Sequence, residues 1–201
     1  MSVLRPAFSA DKMDGGKAHQ MMTYIALFRG INVGGRHILP MKELVAILEE
    51  LGCRNVKTYI QSGNAVFESK ANNISQLSKK ISAEIKKRRG FEPHVLLVRL
   101  EEMEQAIMNN PFPDGEKDPK ALHVGFLTST SKTPDLKALE SLKANGEQFH
   151  LMDNIFYLYA SQGISRSKLA ASTEKLLGVT MTDRNWGTVR KIMEMAKGLK
   201  E

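Results

Sequence analysis

The residues that could do chemistry fall in four short clusters, each pairing a cation with small or amide side chains. The first is Arg29-Gly30-Ile31-Asn32-Val33-Gly34-Gly35-Arg36. Its glycines let the backbone approach a ligand or take positive φ. Arg29 and Arg36 supply bidentate donors, and Asn32 adds an amide. Such a loop could hold a phosphate or carboxylate. The same residues also describe a tight crossover loop with exposed arginines. The second cluster, Gln61-Ser62-Gly63-Asn64, is first a turn between strands; Ser62 and Asn64 either cap it or face a ligand. The third is Ser165-Arg166-Ser167-Lys168. If Ser165 caps a helix, free N–H groups, a hydroxyl and two cations converge at its positive end, an anion-binding arrangement. Otherwise Arg166 and Lys168 point into solvent or pair with carboxylates. The fourth, Asp183-Arg184-Asn185-Trp186, repeats that logic at a second expected helix start and holds the one tryptophan, which either packs in the core or stacks on a base.

Several chemistries lack their residues. The glycine loop has neither the Lys-Ser/Thr pair of a P-loop nor the spacing of a dinucleotide fingerprint. His19, His37, His94, His123 and His150 show no metal-ligand spacing, and one cysteine, Cys53, argues against a structural zinc site. No nucleophile elbow is present, and Glu49-Glu50 and Glu101-Glu102 are adjacent pairs that do not share a helix face. No catalytic residue can be assigned, and no metal or cofactor is expected.

The elements that must position these clusters read as an α+β chain. Residues 1–21 carry no period and are expected to be a disordered lead. Thr23 to Phe28 is apolar on both faces, so it is expected to be a central strand. Met41, Leu44, Val45, Leu48 and Leu51 recur at helical spacing after Pro40 and stop at Gly52. A hairpin follows, with strands at 55–60 and 65–67. A helix on Ile74, Leu77, Ile81 and Ile85 comes next, then a strand over 93–99. This β-α-β-β-α-β order is that of a ferredoxin-like unit.

A connecting helix at 101–109 and a polar loop lead to a second round. It comprises a strand at 122–127, a helix from Thr133-Pro134-Asp135, a hairpin around Asp153-Asn154 and a helix capped by Ser165. A short strand at 179–181 and a last helix capped by Thr182 or Asp183 complete it. The expected organisation is therefore 22–100 and 121–201 as two ferredoxin-like subdomains, joined by 101–120, with an added C-terminal helix. Duplication is a hypothesis, because only the element order repeats.

The chain has 201 residues, 29 basic and 22 acidic, for a net charge of +7. That favours an anionic partner: RNA, a nucleotide or a small anionic ligand. Lys79, Lys80, Lys86, Lys87, Arg88 and Arg89 form a basic helix flank, which is either a phosphate-backbone surface or a solvated face. No apolar run reaches the ~18 residues of a membrane span. With the single cysteine, this gives a cytoplasmic, non-membrane expectation.

Taken together and in order, some motifs carry a family likeness: Ala26 to Gly35, Thr58 to Phe67, Leu122-His123-Val124-Gly125-Phe126-Leu127, Arg166-Ser167-Lys168-Leu169 and Thr182-Asp183-Arg184-Asn185-Trp186. Over about residues 22–198 the chain resembles the DUF1697 family, named for a domain of unknown function. The resemblance implies a bacterial-type cytosolic protein with two similar α+β subdomains and supplies no activity. Ser165 stands where relatives often carry glycine, and Gly187 where a polar residue is common. Three functions remain open: binding of a phosphate-bearing ligand by the basic loops, an enzyme acting on a small anionic metabolite between the halves, or a structural or interaction module.

Overall fold

The computed structural model describes residues 20–61 and 63–199. The expected N-terminal lead up to residue 19, and Ser62, lie outside them.

The first half contains β1 (Met22–Arg29), α1 (Met41–Glu50), β2 (Arg54–Tyr59), β3 (Asn64–Ser69), α2 (Ile74–Arg89) and β4 (His94–Arg99). Then come α3 (Leu100–Met108) and a 3-10 turn at Pro113–Lys117. The second half contains β5 (Leu122–Leu127), α4 (Leu136–Leu142), β6 (Glu147–Met152) and β7 (Ile155–Ala160). A 3-10 turn at Ile164–Arg166, α5 (Lys168–Leu177), β8 (Met181–Asn185) and α6 (Trp186–Lys197) complete it.

Both sheets are antiparallel, with strand orders β2-β3-β1-β4 and β6-β7-β5-β8. The fold is thus α+β, with two sheet-and-helix subdomains of generally similar topology. The two-faced apolar pattern of β1 has a direct cause. Tyr24, Ala26 and Phe28 pack under α1 and α2, while Ile25 and Leu27 face the other half. In the second sheet, Phe156, Leu158 and Ala160 pack with Leu139 and Leu169 of α4 and α5. The inner faces of both sheets share one core with α3 and α6. In it Ile25, Val66 and Val98 meet Val124, Phe126 and Tyr157 around Met103, Trp186 and Val189. Neither sheet is half-exposed, and the connecting and last helices wedge the halves together.

Three expected helix starts shift. α4 begins at Leu136 rather than at Thr133-Pro134, with Asp135 as its cap, accepting from Ala138 N at 2.9 Å. Gly163, at φ +86°, leads into the 3-10 turn, and Ser167 rather than Ser165 caps α5 by accepting from Ala170 N at 3.0 Å. Pairing with β5, including His123 with Asn185 and Gly125 with Asp183, keeps the chain extended through Asn185. That residue caps α6 through Thr188 N at 2.8 Å, so neither Thr182 nor Asp183 does. Strand pairing here overrides local capping chemistry. Among the described residues, no helix is long and apolar enough to cross a membrane.

Candidate functional site

The glycine loop begins where β1 ends. Gly30 takes φ +76°. Gly34 and Gly35, at φ +59° and +71° between the bridged Val33 and Arg36, form a tight exposed turn of the I′ kind. Asn32 braces this loop: its amide donates to Leu39 O (2.9 Å) and Gln61 O (2.8 Å), and its oxygen accepts from Leu39 N (2.8 Å). The β2–β3 turn is pressed against the same place. A Cβ on Gly63 would stand 2.6 Å from Phe28 Cβ and 2.7 Å from Ile31 Cδ1.

Arg184 crosses from β8 into the first half. Its Nε donates to Asn64 Oδ1 at 2.6 Å, and Nη2 to Phe28 O at 2.7 Å and Gly63 O at 3.2 Å. Nη1 donates to Asp183 O at 2.8 Å. Burial lowers its guanidinium to about 10, against a smaller opposing pull from Asp183. Asn64, fully buried, also donates to Tyr59 O. Arg184 and Asn64 therefore join the halves. Arg184 is a strand residue, so the expectation that it sits in the first turn of a helix is corrected.

Arg29 reaches the second half as well. Its guanidinium forms a two-pronged ion pair with Glu174 of α5, one contact at 2.9 Å, and donates to Met181 O at 3.1 Å. The hydrogen bond that Arg29 donates to Glu174 strengthens the hold on the arginine proton. Burial pushes the Glu174 carboxyl up, but hydrogen bonds from Arg29 and Met181 N outweigh it and hold the group below the usual carboxylate range.

Between these contacts lies a cleft of about 350 Å³. The first half contributes Phe28 to Ile31 and Val33; the second contributes Ile164, Ala170 and Glu174 around α5, Phe156 and Leu158 below, and Met181 to Arg184. The walls are mainly apolar, with Arg29, Glu174, Asp183 and Arg184 as the charged groups. Thr182 Oγ1, in the same wall, is buried without a hydrogen-bond partner among the described residues.

Asp183 Oδ2 lies 2.8 Å from His123 Nδ1, and His123 Nε2 lies 3.0 Å from Lys120 O. Both partners are acceptors, so two hydrogen bonds require a proton on each ring nitrogen. Burial pulls the imidazole pKa down, yet Asp183 and the Lys120 carbonyl outweigh it, and the net shift is upward.

Of the residues singled out in the sequence, Arg29 and Arg184 line the cleft. Asn32 and Asn64 brace it, and Gly34, Gly35 and Arg36 form the exposed loop tip. Arg166 and Lys168 are exposed beside the α5 start but are not in the lining; Ser167 is the buried cap. Asn185 is a helix cap, and Trp186 is 2% exposed in the shared core. Glu174 and His123 fall outside the four sequence clusters because their partners come from strand pairing and packing across the halves. The α2 cations are largely engaged: Lys86 with Glu92, Lys87 with Glu84, Arg88 with Glu50 and Glu84, and Arg89 with Glu43.

The family model for DUF1697, a protein of unknown function, matches residues 21–157. The chain belongs to that family. A solved structure of a conserved bacterial protein, SP0830 from Streptococcus pneumoniae, is similar to this DUF1697 chain. It has 28% identity and a TM-score of 0.64, covering 88% of this chain and 99% of that one. No curated protein matches.

Proposed function

We propose that this DUF1697 protein binds a small molecule carrying one oxyanion group, a phosphate or carboxylate, in the cleft between its halves. The observation that carries this reading is the meeting of Arg29, Gly30 and the Thr182–Arg184 strand with α5 around one cavity of about 350 Å³. That size and apolar lining fit small-ligand sites, which run from ~300 to ~1,000 Å³. Arg29 is the adaptable cation: its side chain is 45% exposed. An ion pair this exposed is worth only about 0–1 kcal/mol, so a ligand oxyanion can take the place of Glu174. The unpartnered Thr182 hydroxyl offers a further hydrogen bond.

A small ligand is preferred to RNA because the cleft holds two carboxylates beside its two guanidinium groups. An enzymatic reading draws less support. Glu174 is engaged by Arg29 and Met181 N, and Asp183 by His123, so neither is placed as half of an acid–base pair.

The same reading takes 22–100 and 121–201 as two ferredoxin-like subdomains produced by duplication, joined by 101–120. It is supported by the matching element and strand orders. A cytoplasmic site of action fits the single cysteine.

The test is calorimetric titration of the full chain with nucleoside monophosphates, sugar phosphates, small carboxylates and a short RNA. Binding of a small oxyanion, weakened about tenfold or more in Arg29→Ala at unchanged stability, is expected. Binding of RNA alone, or of nothing at about 1 mM, overturns the reading.

A further inference from the structure

A larger cleft, about 640 Å³, opens elsewhere between the halves, along the outer edge of β4. Among the described residues β4 is the last strand of its sheet and pairs with β1 alone. The direction of its free groups follows from register. Phe28 turns its N–H toward Gly63 O on the β3 side, and Phe28 is the register partner of Val95. Backbone polar groups alternate sides along a strand, so Val95, Leu97 and Arg99 turn theirs away from β1. Side chains cover both ends of this outward row: Ser78 Oγ donates to Val95 O, and Glu102 Oε2 accepts from Arg99 N at 2.7 Å. Between them, the N–H and C=O of Leu97 face the cleft.

The floor is apolar, with Val98, Phe126 and Tyr157, and Phe126 and Tyr157 are almost fully buried. The rim is acidic. Glu101, Glu102 and Asp153 line it, and among the described residues that do so there is no lysine or arginine. In a chain of net charge +7 this sign is opposite to the average.

We propose that this groove accepts an extended, lysine- or arginine-rich peptide as an added strand on β4. The peptide backbone pairs with Leu97, alternate side chains enter the apolar floor, and the basic ones between them meet the carboxylates of the rim. Strand addition uses backbone hydrogen bonds for affinity and alternate side chains for selection, which is what an open edge beside an apolar floor and a charged rim provides. The reading is independent of the Arg29 cleft.

The probe is a fluorescently labelled seven-residue peptide of alternating lysine and valine, titrated into the full chain and read by polarisation. Three results are expected together. The peptide binds and its glutamate–valine counterpart does not. Methylation of the probe's backbone nitrogens on one edge weakens binding at least about tenfold. The variant Asp153→Asn weakens it about two- to fivefold while leaving the unfolding midpoint in place. Binding that ignores backbone methylation, or is matched by spermine at equal charge, overturns the proposal in favour of a plain cation site. No binding at about 1 mM, or self-association of the chain through this edge in sedimentation, overturns it as well.

Discussion

Replacing Arg184 with alanine should loosen the junction between the two halves. The guanidinium donates to Asn64 Oδ1, Phe28 O, Gly63 O and Asp183 O. Phe28 is 1% exposed and Asn64 fully buried, so truncation leaves at least two acceptors in a place water reaches poorly. An orphaned buried polar group costs about 1–3 kcal/mol, giving a gross loss of about 2–6 kcal/mol. Part of this is offset, because burial already lowers the Arg184 guanidinium to about 10 and removing the charge relieves that desolvation. A net destabilisation of about 2–4 kcal/mol is expected. At about 2–4 °C per kcal/mol for a chain this size, the melting midpoint should fall by roughly 4–16 °C. Urea unfolding followed by tryptophan fluorescence is the assay, since Trp186 packs in the core both halves share. Arg184→Lys should recover only part of the loss, because one ammonium cannot reproduce the fork of donors. A change below about 0.5 kcal/mol in Arg184→Ala would refute the reasoning.

Gly63→Ala should cost more than about 2 kcal/mol in the same assay. Its backbone is at φ +80°, and the new methyl would meet Phe28 Cβ at 2.6 Å; a neutral result would remove the steric argument. His123 should titrate above its ordinary 6.5 in NMR spectra of the folded protein. A raised folded pKa means its stabilisation is complete below the unfolded value and fades as pH rises through the folded one, and His123→Gln should flatten that part of the stability profile. Glu174 carries the opposite sign: its contribution is present above the ordinary carboxylate value of 4.5 and fades as pH falls through its lowered folded pKa. Cys53, 4% exposed and pushed up by burial to about 11, should resist a thiol reagent in the native state and react after unfolding; fast native labelling would contradict its burial.

Much of the fold was legible because the signals are local. The two-faced apolar run of β1, the helical spacing of Leu44 and Leu48, and the turn at Gly63 each depend on neighbours within a few positions. The site was only partly legible. Arg166 and Lys168 stand outside the cleft lining, whereas Arg29, Asn32, Asn64 and Arg184, drawn from three separate clusters, line or brace it. Much of their hydrogen-bonding capacity holds the protein together. Three helix starts were misplaced, because serine, threonine and aspartate are good caps wherever they stand. Only pairing with β5 shows that Thr182 and Asp183 belong to a strand.

What the sequence determined by itself was the succession of strands and helices and the glycine turns. These follow from steric preference and periodic burial over short stretches of chain. Tertiary structure alone decided that Arg29 meets Glu174 across 145 positions, that Arg184 meets Asn64 across 120, and that β4, among the described residues, is an edge strand beside an acidic rim. The partner of a charge depends on how two sheets pack around α3 and α6, and no local preference in the chain encodes that geometry.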